Sequence, residues 1–202
     1  MKSAFVFLAL FVAKCFILEC SSQSRLTKTD FKLLISVIVQ VFGISWKNCG
    51  KQSNPVQMKT LKFSPDPISI PGKLTAEASV TTSAALTSPL SVDVTLKRRT
   101  IGFWITIPCR GQIGSCRYPN VCDLLDQLIS PGQDCPEPLH TYGLPCHCPF
   151  IAADYAFPPL DFNISKIEFP SFLTNGNYNV QGVLKSADVE MGCFEISFSL
   201  QS

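Results

Sequence analysis

Polar and apolar side chains alternate most clearly in two places. Ser91-Val92-Asp93-Val94-Thr95-Leu96-Lys97 switches character at each residue, and Cys193-Phe194-Glu195-Ile196-Ser197-Phe198-Ser199-Leu200-Gln201 does so for longer. A period of two places successive side chains on opposite faces of a strand, so each segment predicts a strand with one buried and one wet face. In the second segment the inward set is Phe194, Ile196, Phe198 and Leu200. Further strands are predicted over 103–107, 151–157 and 178–184. Asn175-Gly176 sits between apolar-bearing segments and predicts a hairpin, because both residues tolerate the positive φ of a tight turn. The 15 prolines fall mainly between these runs, as turn and edge punctuation. One stretch changes period. Over 121–129 the apolar positions recur at three and four, as on one face of a short helix, with Pro119-Asn120 before it and Ser130-Pro131-Gly132 after it. The pattern predicts a mainly β fold of antiparallel strands, with one short helix in a cysteine-rich crossover from Cys109 to Cys148.

The amino-terminal end follows a different logic. Lys2 precedes an apolar run over 4–13, and Cys20-Ser21-Ser22 supplies small residues at the spacing of a cleavage site. Residues 1–22 therefore read as a signal peptide. Lys14 and Glu19 interrupt the run well short of the roughly 20 residues that a membrane span needs. Residues 23–44 form an extension of uncertain role. The run 33–42 is too short to span and too β-branched for a good helix, so an extra strand and an apolar extension both remain open. The main domain is expected over 45–202.

Composition adds a question about where the apolar material goes. Hydrophobic residues make up 46% of the 202 and charged residues 16%, against roughly 25% charged in an ordinary soluble domain. A core, a membrane-facing surface or a ligand cavity could each take the excess. A net charge of +2, with no basic cluster beyond Lys97-Arg98-Arg99, argues against nucleic acid as a partner. Loss of Cys15 and Cys20 with the signal peptide leaves Cys49, Cys109, Cys116, Cys122, Cys135, Cys146, Cys148 and Cys193. An even set in a secretory chain implies disulfides, although eight cysteines permit 105 connectivities and spacing does not choose among them.

Candidate chemistry is sparse. Cys146-His147-Cys148 offers ligands suited to zinc, but an oxidising compartment and the lack of paired C-x2-C spacing favour disulfides. Two histidines, His140 and His147, no G-x-S-x-G elbow and scattered carboxylates give no catalytic constellation, so no catalytic residue, metal or cofactor is expected. Asn163-Ile164-Ser165 is a glycosylation sequon. Ile101-Gly102-Phe103-Trp104-Ile105 follows the basic triplet and has two readings. Periodicity favours a core strand, whereas a loop dipping into a bilayer interface would use the rings and the neighbouring cations.

Taken together, several motifs carry a resemblance. Ser45-Trp46-Lys47-Asn48-Cys49, Pro65-Asp66-Pro67-Ile68, Ile107-Pro108-Cys109, Ile113-Gly114-Ser115-Cys116, Cys122-Asp123-Leu124-Leu125-Asp126 and the long 135–150 segment from Cys135-Pro136-Glu137-Pro138 to Cys146-His147-Cys148-Pro149-Phe150 resemble the ganglioside GM2 activator family. Leu173-Thr174-Asn175-Gly176-Asn177-Tyr178 and Gly192-Cys193 extend the match over about residues 45–200. The resemblance implies an antiparallel β-cup or sandwich, related to the ML lipid-recognition domains, around an internal apolar cavity open at one rim. It implies the pairs Cys49–Cys193, Cys109–Cys116, Cys122–Cys148 and Cys135–Cys146. It places a membrane-contacting rim at Ile101, Gly102, Phe103 and Trp104, and a second lipid-contacting segment over about 163–173 with Phe169, Phe172 and Leu173. It further implies a lysosomal, non-enzymatic activator that lifts ganglioside GM2 from membranes, touching them transiently, and presents it to β-hexosaminidase A for removal of the terminal N-acetylgalactosamine. A secreted ML-type lipid or sterol carrier and a weak phospholipid hydrolase are the alternatives. Two departures stand out. The family's glycosylation position, after Ile70-Pro71-Gly72, is here Lys73-Leu74-Thr75 without a sequon, which leaves Asn163 as the candidate; the apolar stretch at 31–44 has no family counterpart.

Overall fold

The alternating segment 91–97 forms strand β5 (Leu90–Arg99), and 193–201 forms most of β10 (Val189–Gln201), in a computed structural model that describes residues 43–164 and 175–201. In chain order the other elements are β1 (Ser45–Asn48), β2 (Val56–Ser64), β3 (Ile68–Ser69), β4 (Gly72–Thr82), β6 (Trp104–Thr106), β7 (Arg117–Tyr118), α1 (Val121–Leu128), β8 (Ala153–Ile164) and β9 (Gly176–Ser186). A larger sheet runs β1-β10-β9-β5-β6, with β3 on β10 and β7 on β5, and a smaller one runs β2-β4-β8. Every pairing is antiparallel except β3 with β10.

Register sorts the side chains by face, because residues opposite one another on neighbouring strands share a face. In the larger sheet Trp46, Ile196, Val180 and Leu96 form one cross-strand row, and Phe194, Gly182 and Val94 the next. The reverse face carries Lys47, Glu195, Gln181 and Thr95, and then Ser45, Ser197, Asn179 and Lys97. The smaller sheet divides likewise. Met58, Val80 and Tyr155, then Leu61, Ala78 and Phe157, then Phe63, Ala76 and Leu160 share a face; Gln57, Thr81 and Asp154, with Lys62 and Glu77, occupy the other.

The two apolar faces meet at one end. Val56, Leu86, Leu90 and Cys122 form a buried cluster joined by Val80 from the smaller sheet and by Leu184 and Phe194 from the larger. A second cluster, Ile107 and Tyr178 with Leu96, Phe198 and Leu200, takes nothing from the smaller sheet. There the Tyr178 and Phe198 rings stack on each other, with centroids 5.8 Å apart. Among the described residues the two sheets thus pack on each other at the Leu90 end and not at the Arg98 end. One side seam is closed as well, since the Asn48 amide donates to the Met58 carbonyl and accepts from the Met58 N–H, next to the Cys49–Cys193 disulfide.

Helix α1 caps the sealed end. Asn120 is its N-cap, and the same Oδ1 that accepts from Cys122 N also accepts from Leu90 N, tying the helix start to β5. Ile129, inside the expected helix, is instead its extended C-cap. The disulfides are Cys49–Cys193, Cys109–Cys116, Cys122–Cys148 and Cys135–Cys146, the pairs that the resemblance implies.

Two sequence expectations need correction. Asn175-Gly176 is not a hairpin turn: β8 and β9 lie in different sheets, and Gly176 opens β9 at φ 148°. Its lack of a side chain serves another purpose, since a Cβ there would lie 3.2 Å from Arg98 Nε. The tight hairpin is at Ala187-Asp188, between β9 and β10, where both residues take the positive φ of such turns, 46° and 62°. The second correction concerns the inward set of β10, which faces inward yet remains only partly buried, whereas Ser199 on the reverse face is buried. The signal-peptide and extension readings, 1–22 and most of 23–44, lie outside the described residues.

Candidate functional site

The space between the sheets is the candidate site. Leu61, Phe63, Leu74, Leu160, Phe162, Leu96, Val180, Ile196 and Phe198 all carry apolar side chains on the facing sides, and none is fully buried. In a solid sandwich such positions interdigitate at close packing. Here they line a hollow. Among the described residues Tyr178 is the large side chain with less than 2% exposure. Near the sealed end an apolar pocket of about 270 Å³ lies between the smaller sheet and the crossover. Ala78, Val80, Tyr155 and Phe157 of the smaller sheet form one wall, and Leu139, Leu144 and Pro145 of the crossover form the other.

Three connections converge on the open end because of strand direction. β5 reaches it at Arg99 and returns through Thr100–Phe103; β2 reaches it at Ser64 and returns as β4 from Gly72; β8 reaches it at Ile164 and β9 leaves it at Gly176. The Thr100–Phe103 turn is closed by Thr100 N and Oγ1, which both donate to the Phe103 carbonyl at 2.9 and 3.1 Å. Gly102 takes a φ of 92°, the left-handed region that glycine enters at no cost. At its tip Ile101 is 100% exposed and Phe103 62%, followed by Trp104 at 40% and Ile105 at 45%. The core-strand reading of 101–105 is therefore overturned: the glycine breaks the run into a turn, and what remains is the three-residue edge strand β6. Phe169, Phe172 and Leu173 lie outside the described residues.

Cations border the same end. The Arg99 guanidinium lies 5.9 Å from the Trp104 ring centroid, and Arg98 lies 6.0 Å from Tyr178 while donating to the Asn175 carbonyl at 2.8 Å. Burial raises the Tyr178 phenol above its ordinary pKa, and the Arg98 charge partly offsets this. On the far side of the opening Asn163 is exposed and pairs in register with Lys73, while its neighbours Phe162 and Ile164 point inward.

The Cys146-His147-Cys148 cluster is not a thiolate site, since both cysteines are oxidised. His147 Nδ1 lies 2.9 Å from Asp126 Oδ1 on α1, and its Nε2 is buried without a partner among the described residues. Pattern reading missed the crossover wall. Leu139 and Leu144 fall in a segment with no period, and only the folded crossover turns them toward Phe157.

Comparison with known proteins agrees with this architecture. Residues 43–200 match the family model described as the ML domain. The chain is 45% identical over 170 residues to a mouse protein named Ganglioside GM2 activator, covering 84% of this chain and 88% of that one. A macaque protein of the same name is 45% identical over 159 residues, covering 79% and 84%. The chain belongs to the ganglioside GM2 activator family of ML-domain proteins. A solved structure of a Niemann-Pick type C2 protein from Japanese carpenter ant is also similar, at 12% identity and a TM-score of 0.39, covering 78% of this chain and 99% of that one. So low a TM-score adds nothing to the family assignment.

Proposed function

We propose that this protein holds a lipid by its hydrocarbon chains in the cup and carries it between a membrane and a soluble partner. The observation that carries the reading is the hollow itself: inward apolar faces left unfilled, with Ile101 and Phe103 exposed at the end where they open. Physical chemistry makes such a cup useful. Moving one methylene out of an apolar phase costs about 0.8 kcal/mol, so exposing the roughly 30 methylenes of a two-chain lipid would cost on the order of 25 kcal/mol. A preformed apolar cavity removes most of that cost, and aromatic side chains at its rim suit the membrane interface where transfer starts.

The finer reading is that the lipid is ganglioside GM2, presented with its sugars exposed to β-hexosaminidase A, which performs the hydrolysis; this protein then acts as an activator and not as the catalyst. It is supported by the names of the mouse and macaque relatives. Rim contacts fall to Ile101, Gly102, Phe103 and Trp104, with Phe169, Phe172 and Leu173 in a second lipid-contacting segment. The four disulfides support passage through an oxidising compartment, in keeping with a cleaved signal peptide over 1–22 and delivery to the lysosome.

Trp104→Ala tests the rim. Ganglioside extraction from vesicles should slow about tenfold, equivalent to 1.4 kcal/mol on the barrier, with an unchanged melting temperature. A folded variant that extracts at the parental rate rejects the rim assignment.

A further inference from the structure

The crossover wall has features of a ruler. Its two leucines are fixed to each other, since Leu144 N donates to the Leu139 carbonyl at 2.9 Å, and the Cys135–Cys146 disulfide closes the loop around them. Inside that loop Gly143 takes a φ of 61° and donates to the His140 carbonyl, and Thr141 donates to the Glu137 carboxylate from both its N–H and its hydroxyl. Phe150, next along the wall, is joined to Leu86 by a pair of backbone hydrogen bonds of 2.8 and 3.0 Å. The pocket that this wall closes is lined almost wholly by apolar groups. A dry apolar cavity of about 150 Å³ takes up one benzene ring, so a volume of about 270 Å³ accepts only a few carbons more than that. That is the end of one acyl chain and far less than a two-chain lipid. We infer that the pocket seats the terminal methylenes of a single chain and that Leu139 and Leu144 set the chain length the protein accepts.

This inference rests on the proposed function but fails separately from it. A rigid wall makes affinity rise about fourfold per methylene until the chain reaches it, and then level off or fall. The experiment measures the affinity of the purified, disulfide-intact protein for a homologous series of saturated fatty acids. It compares the parental chain with Leu139→Ala, Leu144→Phe and, as a control outside the pocket, Leu128→Ala, whose side chain is largely exposed. Leu139→Ala should move the break point longer by about three carbons, the size of the group removed. Leu144→Phe should move it shorter, and Leu128→Ala should leave it in place. Break points that coincide in all four proteins overturn the ruler while leaving the cup reading intact. Failure of the parental protein to bind any member overturns the cup reading. Should Leu139→Ala prove unstable in a thermal melt, the opposite displacement in Leu144→Phe decides, since overpacking shortens the pocket without emptying it.

Discussion

Single residues carry information here when their exposure contradicts their chemistry. Ile101 and Phe103 are apolar and solvent-facing because Gly102 turns the chain away from the sheet, a consequence of backbone freedom that a hydrophobicity pattern does not register. Asn163 shows the converse. It lies in a segment proposed to contact lipid, yet strand alternation puts Phe162 and Ile164 inside and the asparagine outside. A glycan there projects from the outer face and leaves the cavity open. Asn163→Gln should therefore lower the apparent mass of the secreted protein by one glycan, as enzymatic deglycosylation does, and leave ganglioside extraction unchanged within about twofold, since surface changes away from a site alter stability by about 0.5 kcal/mol or less. A mass unchanged by either treatment rules out glycosylation at this position.

Among the elements, long uninterrupted runs of alternation were legible and strands with a broken or faint period were not. β5 and the 193–201 part of β10 could be read from the sequence because apolar and polar residues alternate through most of them, Arg98 opposite Tyr178 being the inward exception in β5. β2 and β4 escaped it: β2 holds an extra residue between Met58 and Thr60, β8 holds one opposite Ala76 to Ala78, and β4 uses small Ala, Ser and Thr residues whose period is faint. The opposing part of β8 holds Pro158-Pro159, tolerated because β8 is an edge strand and proline there forfeits no ladder bond. Disulfides then lock elements that pack poorly across a hollow. In the chain-entropy view a cross-link stabilises more when it closes a longer loop. Cys49–Cys193 spans 144 residues and Cys109–Cys116 spans 7. Replacing the first pair with serine should cost about 5 kcal/mol and the second about 2.5 kcal/mol, measured by denaturant unfolding. Equal losses would show that native-state strain, and not loop length, dominates.

For the whole molecule, ion pairs on the outer faces set the response to acid. The Lys185 hydrogen bond of 2.7 Å holds the Asp93 carboxyl below its ordinary value, with charge from Lys185 and Arg117 adding and burial opposing. Glu195 is held down by the Asn179 amide and then by Lys47, and Asp161 by Lys73 and Thr75. A carboxylate whose folded pKa is depressed contributes stability above its unfolded pKa and loses it as pH falls through the folded value. The ordinary values are 3.8 for Asp and 4.5 for Glu. The melting temperature should accordingly hold from neutral pH down to about pH 5 and fall below about pH 4. A protein of an acidic compartment would keep these pairs intact there. A steady decline starting between pH 7 and 6, followed by thermal melts across the range, would point to other groups.

The sequence by itself determined the antiparallel β class, the short capped helix and the oxidised cysteine set, because period, caps and cysteine count are local properties. Its motifs brought the family within reach. Whether the excess apolar residues filled a core or lined a cavity was a question of distance between two sheets, and no pattern along one chain encodes that distance. The tertiary structure decided it. Among the described residues, inward side chains pack from sheet to sheet at the Leu90 end and only within the larger sheet at the Arg98 end, so the same alternation that builds a core in one half lines a cup in the other.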